Sequence, residues 1–209
     1  MIITRRAVHS KTFPAYTLVE MIVVSGIIVL LVSLAVPSVL DLLKSMRMTH
    51  AAHKVQECLT QAQGMATSFN RDVEVRLYRT GGSLYSGEAS GHGIQLFKIS
   101  GDANPKVSEV QMTPEGAEEI LPVSVQFSLN ESFSSIWKLA VRGEKAQKGL
   151  REYVAFRYRP DGSTDLPEDQ KWSLSLVPHP ADVSSNLPAN FVVFMIDPVT
   201  GHLSSFRPD

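Results

Sequence analysis

Glu20 is an acidic residue in a position that calls for a charged partner, because residues 21–40, which follow it directly, contain no charged side chain. A helix of that length is about 30 Å long, which matches the hydrocarbon core of a bilayer, and the sequence therefore predicts a transmembrane segment at 21–40. An unpaired carboxylate drawn into hydrocarbon costs on the order of 3 kcal/mol. If the chain were cut after Ala15, the new amine of Tyr16 would lie one helical turn from Glu20. It could then neutralise the carboxylate within one helix or between neighbouring helices.

Two further groups of side chains could bind a metal ion, but a simpler interpretation is favoured for each. His50, His53 and Glu57 share one face of a predicted helix, and an exposed polar face explains their spacing. Asp161 and Asp165 lie on either side of a glycine that is not placed as in an EF-hand, so a turn is favoured. The sequence has no Ser-His-Asp order, phosphate-binding glycine loop or Cys-x-x-Cys motif. We therefore expect no enzyme activity, no metal site and no cofactor.

The composition is that of one anchored domain. The chain has 209 residues, a net charge of -1 and 44% hydrophobic residues, which is enough to form a core outside the membrane. A near-neutral charge argues against general nucleic-acid binding. Cys58 is the single cysteine, so no intrachain disulfide can form, and a buried core position is expected for it.

The hydrophobic pattern predicts one long helix over residues 16–70. Val55, Leu59, Ala62 and Ala66 recur at spacings of three and four and form a single apolar stripe in its second half. Pro37 removes a backbone hydrogen bond and should kink the helix. Asparagine tolerates the left-handed conformation that ends helices, so the helix is expected to end near residue 70.

After residue 70 the pattern alternates between apolar and polar residues, which is typical of β-strands. Side chains 73, 75 and 77 are predicted to face one way and side chains 74 and 76 the other. The predicted strands, separated by turn-forming residues, are 73–77, 93–99, 107–112, 123–129, 135–141, 153–158, 172–177 and 191–196. The expected fold class is α+β, with a long N-terminal α-helix, half of it transmembrane, packed against a β-rich C-terminal domain.

The N-terminal residues resemble the type IV prepilins and pseudopilins. That family has a short basic leader, a small residue, an aromatic residue or Met, and then an apolar motif that ends in glutamate and runs into a hydrophobic helix. Here residues 1–15 would be the leader peptide, and Tyr16-Thr17-Leu18-Val19-Glu20 would begin the mature chain. The resemblance implies cleavage between Ala15 and Tyr16, N-methylation of Tyr16, and assembly roles for Glu20 and Pro37. Ala15 stands where the family usually has glycine, and this departure could slow processing.

Later segments extend the resemblance to the H-type minor pseudopilins and related minor pilins. The matching segments are 55–78, 156–162 and 191–201, whereas residues 79–150 match no known segment. The resemblance implies a filament subunit of a type II secretion or type IV pilus system, processed by a prepilin peptidase and assembled with other pseudopilins. It also implies a single-pass protein of the bacterial inner membrane, with residues 71–209 forming a pilin-like domain in the periplasm or outside. The basic residues of the leader agree with that orientation.

Two alternatives remain open at this level. One is a membrane-anchored extracytoplasmic binding module that uses a prepilin-like export signal and binds through residues 79–150. A modest cluster of basic residues at its end does not favour nucleic acid and fits a solvated surface: Arg142, Lys145, Lys148 and Arg151. The other is an ordinary secretory signal cut after Ala35. Against it, the apolar stretch is longer than such signals usually have, and Glu20 interrupts the approach to it.

Overall fold

The computed structural model describes residues 16–79, 92–100, 111–146, 149–180 and 186–208, and their side chains except those of 34–38, 100, 111, 145, 146, 149 and 150. The chain forms two compact units, Met1–Leu42 and Leu43–Asp209. A helix, α1, runs over Leu18–Phe69 and contributes residues to both units. The cleavage position at Ala15 lies outside the described residues.

The expected transmembrane half of α1 is wrong for the part of the chain that the structure describes. No helix among the described residues is both long enough and apolar enough to cross a membrane.

The second half of α1 packs on the β-rich part of the chain through the stripe that the sequence indicates. Val55, Leu59, Ala62 and Ala66 are all fully buried. The helix ends as expected at Asn70, which has a positive φ of 49°. The Arg71 N–H donates to the carbonyl oxygen of Ala66 at 3.2 Å, which is the Schellman bond that satisfies a free carbonyl at a helix end.

Nine strands form two antiparallel sheets in the described part of the chain. The five-stranded sheet has the order β3-β2-β1-β6-β5, and the four-stranded sheet has the order β4-β7-β8-β9. The strands are β1 (Val73–Tyr78), β2 (Gly93–Ser100), β3 (Gln111–Ile120), β4 (Val125–Phe127), β5 (Arg142–Ala146), β6 (Gly149–Tyr158), β7 (Trp172–Pro178), β8 (Val192–Ile196) and β9 (Leu203–Phe206). One face of each sheet joins the helix stripe in a single core.

Several predicted elements differ from the observed ones. The segment 135–141 contains a 3₁₀ helix at Ser135–Lys138 instead of a strand. Contacts with distant residues stabilise it, because the Trp137 Nε1–H donates to the carbonyl oxygen of Ser128 at 2.8 Å and the Ser135 N–H donates to Ser173 Oγ at 3.0 Å. The strand β3 runs through Pro114 and Gly116, which were expected in a loop. It is an edge strand, and such strands tolerate proline because one side needs no hydrogen-bond donor.

Candidate functional site

Thr17 caps the N-terminus of α1. Its side-chain Oγ1 accepts a hydrogen bond from the Glu20 N–H at 3.2 Å, and its carbonyl oxygen accepts one from the Met21 N–H at 3.2 Å. A threonine followed by glutamate three residues later is the sequence signature of a capping box, and this signal was overlooked. Tyr16 therefore precedes the helix. An amine at Tyr16 would therefore not lie one helical turn from Glu20. Pairing of that amine with the Glu20 carboxylate of a neighbouring helix fits the geometry better than pairing within one helix.

The carboxylate of Glu20 has no counter-charge among the residues that the structure describes. It is exposed, and it makes no hydrogen bond or ion pair with any residue that the structure describes. Its position at the first turn is still favourable, because the helix macrodipole stabilises negative charge there. The other predicted assembly residue, Pro37, has a side chain outside the described set, so its kink and its role stay predictions.

The first half of α1 exposes apolar side chains on every side. From Leu18 to Val32 the large hydrophobic residues are between 46% and 76% exposed. The two serines in this stretch satisfy their hydroxyl groups within the helix. Ser25 Oγ donates to the carbonyl oxygen of Ile22 at 2.9 Å, and Ser33 Oγ donates to that of Leu30 at 2.7 Å. The surface of this helical segment therefore offers apolar contacts and almost no free hydrogen-bonding groups.

A buried acid, Glu74, lies on the face of the five-stranded sheet that points away from the helix. It is fully buried, and its Oε1 accepts a hydrogen bond from Arg76 Nε at 2.8 Å. Its Oε2 accepts one from Arg157 Nε at 3.2 Å, and Arg142 Nη1 lies 3.8 Å away. The alternation in β1 is as predicted, but the polar side is covered instead of solvated. A buried carboxylate is tolerated when charged donors compensate it in this way.

The charged network continues across the same sheet face. Glu144 Oε2 accepts hydrogen bonds from Arg76 Nη1 at 3.2 Å and from the Tyr78 hydroxyl at 3.0 Å. Burial, together with the Glu144 carboxylate, raises the pKa of Tyr78, which therefore stays a hydrogen-bond donor. Arg151 forms a bidentate pair with Glu118, with N···O distances of 2.9 and 2.7 Å, and its guanidinium lies 3.9 Å from the ring centroid of Tyr78.

This network accounts for two members of the basic group considered above. Arg142 approaches Glu74, and Arg151 pairs with Glu118, so both of these cations have carboxylate partners. Sequence reasoning missed the network because its partners are far apart along the chain. The one available signal was the alternation of charged and apolar side chains in β1 and β6, which places the charged side chains of β1 on one face. The contacts of the network link β1 to β5 through Arg76 and Glu144 and β1 to β6 through Glu74 and Arg157.

The other candidate residues take structural roles. Asp161 Oδ1 accepts a hydrogen bond from the Ser163 N–H at 2.9 Å, and Asp165 Oδ1 accepts one from the Arg157 N–H at 2.6 Å, so both carboxylates stabilise turns. Contacts to Ser163 lower the pKa of Asp161. Cys58 is buried in the core, and burial together with Glu119 raises the pKa of its thiol to about 11. No group of three or more metal-binding side chains occurs among the described residues, which include His50, His53 and Glu57.

Comparison with known proteins identifies no relative: no family model, curated protein or solved structure matches this chain. The resemblance to prepilins and pseudopilins therefore rests on the residues named above.

Proposed function

We propose that the protein is a pilin-like structural subunit that assembles with other subunits through the first half of α1. The observation that carries this proposal is the exposure of apolar side chains on all sides of the helix between Leu18 and Val32. A helix that is apolar all round needs cover on all sides. Monomeric soluble proteins rarely expose continuous apolar surface of that extent, and such surfaces mark interaction sites.

The matching cover is a bundle of like helices. Each Val, Leu or Ile side chain that becomes fully buried gains about 1.5–3 kcal/mol, and this stretch presents about a dozen of them. Because these side chains are already partly covered by their own helix, the gain available is roughly 10–20 kcal/mol, which is comparable with or larger than the roughly 4–15 kcal/mol cost of association. The Ser25 and Ser33 hydroxyl groups of neighbouring helices of the same kind are satisfied internally, so neither hydroxyl loses a hydrogen bond in the contact.

Glu20 gives such a bundle its register. Each helix brings one exposed carboxylate at its first turn, and burying it among apolar side chains requires a cation. The amine that cleavage after Ala15 would create on Tyr16 of a neighbouring subunit is the proposed partner. In this proposal a prepilin peptidase at the bacterial inner membrane cuts the chain and methylates Tyr16, and the subunit then joins a type II secretion or type IV pilus filament.

The first test is the N-terminus of the protein isolated from cells that contain the peptidase. Mass spectrometry should find a chain that begins with an N-methylated Tyr16. A chain that still carries residues 1–15, or one that begins near residue 36, would overturn the proposal.

The second test separates the role of the carboxylate from general effects of mutation. Glu20→Ala should leave the amount and the fold of the protein unchanged but abolish its co-purification with the other filament subunits. Glu57→Ala is the matched control, because Glu57 is an exposed acid on the second half of the same helix. Normal co-assembly of the Glu20 variant, or equal losses in both variants, would contradict a specific role for Glu20.

A further inference from the structure

The strand β9 is one of the two edge strands of the four-stranded sheet, the other being β4. Strand β9 pairs with β8 on one side, and no strand that the structure describes lies on its other side. Residues Leu203–Phe206 contain no lysine, proline or acidic residue, which are the usual means of blocking an exposed edge. The edge therefore presents backbone groups that an additional strand can use.

The register identifies which backbone groups are available. Ile196 lies opposite Leu203, and the Asp197 N–H donates to the carbonyl oxygen of His202 at 3.0 Å. Because hydrogen-bonded pairs alternate in an antiparallel ladder, Ser204 and Phe206 use their backbone groups toward β8. The N–H and C=O groups of Leu203 and Ser205 then point outward.

An apolar strip runs beside this edge on the outer face of the sheet. Phe206 is 60% exposed and Met195 is 38% exposed. Phe206 lies directly opposite Val193, and its ring centroid is 6.4 Å from that of Phe191. A strand added beside β9 would place a side chain against Phe206 and cover part of this strip.

Both ends of β9 are fixed, so the edge is ready for binding without rearrangement. After the strand, the Arg207 guanidinium donates to Ser45 Oγ at 2.9 Å, to Asn190 Oδ1 at 3.1 Å and to Thr49 Oγ1. Before the strand, the Gly201 N–H donates to the carbonyl oxygen of Asp197 at 2.8 Å and closes the turn from β8. A rigid edge loses little conformational entropy when a partner binds.

We propose that β9 binds an extended segment of a partner protein as a fifth strand of this sheet, with an apolar side chain of that segment on Phe206. A second copy of β9 fits less well. In the antiparallel registers that use Leu203 or Ser205, Phe206 of one copy would face a polar residue of the other: Thr200, His202 or Ser204. Strand addition obtains its affinity from main-chain hydrogen bonds and its specificity from alternate side-chain contacts. This surface belongs to the second unit, so it can be tested apart from the role of the N-terminal helix.

The test uses the full chain and a short blocked peptide of alternating valine and threonine with a lysine at each end. The peptide should slow hydrogen exchange of the Leu203 and Ser205 amides by about tenfold or more at saturation. The amide of Ser204 already bonds to β8 and should change little. The same peptide with N-methyl groups on the pairing edge cannot donate hydrogen bonds, and it should have no effect.

Two variants make the site assignment specific. Ser205→Pro removes an outward N–H that the fold does not use, so it should weaken peptide binding by about tenfold or more and leave thermal unfolding nearly unchanged. Phe206→Ser should weaken binding without altering the backbone, whereas Ser204→Ala should bind like the unaltered protein. The proposal is overturned if the peptide gives no protection, if the N-methylated peptide protects equally, or if neither variant weakens binding. Dimerisation through β9 without peptide would also overturn it, in favour of a second copy.

Discussion

Replacing Glu74 by glutamine tests whether the charged network on the sheet face stabilises the fold. The Glu74 side chain is 1% exposed, and that of Arg76 is 10% exposed, so little water reaches this pair. Arg157 and Arg142 are 32% and 52% exposed, and solvent screens their attraction to Glu74. The cost of the substitution should therefore come mainly from removing the carboxylate that accepts the Arg76 Nε–H, which leaves Arg76 with the more exposed Glu144 as its counter-charge.

The magnitude follows from this pairing. Removing one partner of a buried ion pair costs about 3–5 kcal/mol. Glutamine keeps one oxygen that can accept the Arg76 Nε–H, so Glu74→Gln should lie at the lower end, at about 3 kcal/mol. For a chain of this size, that loss lowers the melting temperature by roughly 6–12 °C.

Urea unfolding of the full chain measures this loss as a change in the free energy of unfolding. The matched control is Glu152→Gln, because Glu152 pairs with Arg79 at 3.6 Å while both side chains stay well exposed. That substitution should change the free energy of unfolding by no more than about 0.5 kcal/mol. A double replacement of Glu74 and Arg76 by methionine should recover part of the stability, because it leaves no unpaired buried charge. The reasoning is refuted if Glu74→Gln is as mild as its control.

Three further expectations concern single residues. Burial, together with a neighbouring histidine, lowers the pKa of His92 from 6.5 to about 4. Between these pH values the unfolded chain binds a proton that the folded chain does not, so the free energy of unfolding should fall by about 3 kcal/mol as the pH drops from 6.5 toward 4. His92→Phe should remove that part of the acid dependence in urea titrations at several pH values. Cys58 is buried, and the pKa of its thiol is raised to about 11. It should therefore react with a maleimide at neutral pH no faster than the protein unfolds. Reaction in the native state would contradict its burial. Gly201 has a φ of +65°, and a Cβ there would clash with the carbonyl oxygen of Gly162. Gly201→Ala should therefore lower the free energy of unfolding by at least about 2 kcal/mol. A neutral effect would show that this turn can move.

The elements that sequence patterns predicted well are those decided by local preferences. The stripe through Val55 and Leu59 indicates one buried helix face, and asparagine at residue 70 suits the left-handed helix end. The strands β1, β6, β7 and β8 are rich in β-branched and aromatic residues in alternation. In these segments the residue types and the tertiary contacts favour the same structure.

The sequence misled where distant contacts override local preference. Glu74 looks like a solvent-facing strand residue, but it is buried because Arg157 reaches it from a strand 83 residues away in the chain. Trp137 belongs to a 3₁₀ helix whose geometry lets the indole Nε1–H donate to the carbonyl oxygen of Ser128 at 2.8 Å. The strand β9 has two serines at its centre and no clear alternation, so only its pairing with β8 defines it.

The candidate assembly site shows the same division between local and distant information. The Thr17 cap follows from a four-residue pattern, and the sequence could have shown it. The expected transmembrane segment was wrong, because no helix among the described residues is both long and apolar enough to cross a membrane. The exposure of each side chain required the structure.

The two halves of α1 are buried in different ways, and this difference supports an assembly role for the first half. In the second half, one stripe is buried by the chain's own sheets and the opposite face carries polar residues such as His53 and Glu57. The first half has apolar residues all round, and no part of the chain that the structure describes covers them. An apolar helix segment that the described residues leave exposed gains free energy when another apolar surface covers it. In the proposed assembly, the Glu20 carboxylate at the first turn of that segment limits which contacts are favourable, because burying it would require a cation from a neighbouring subunit.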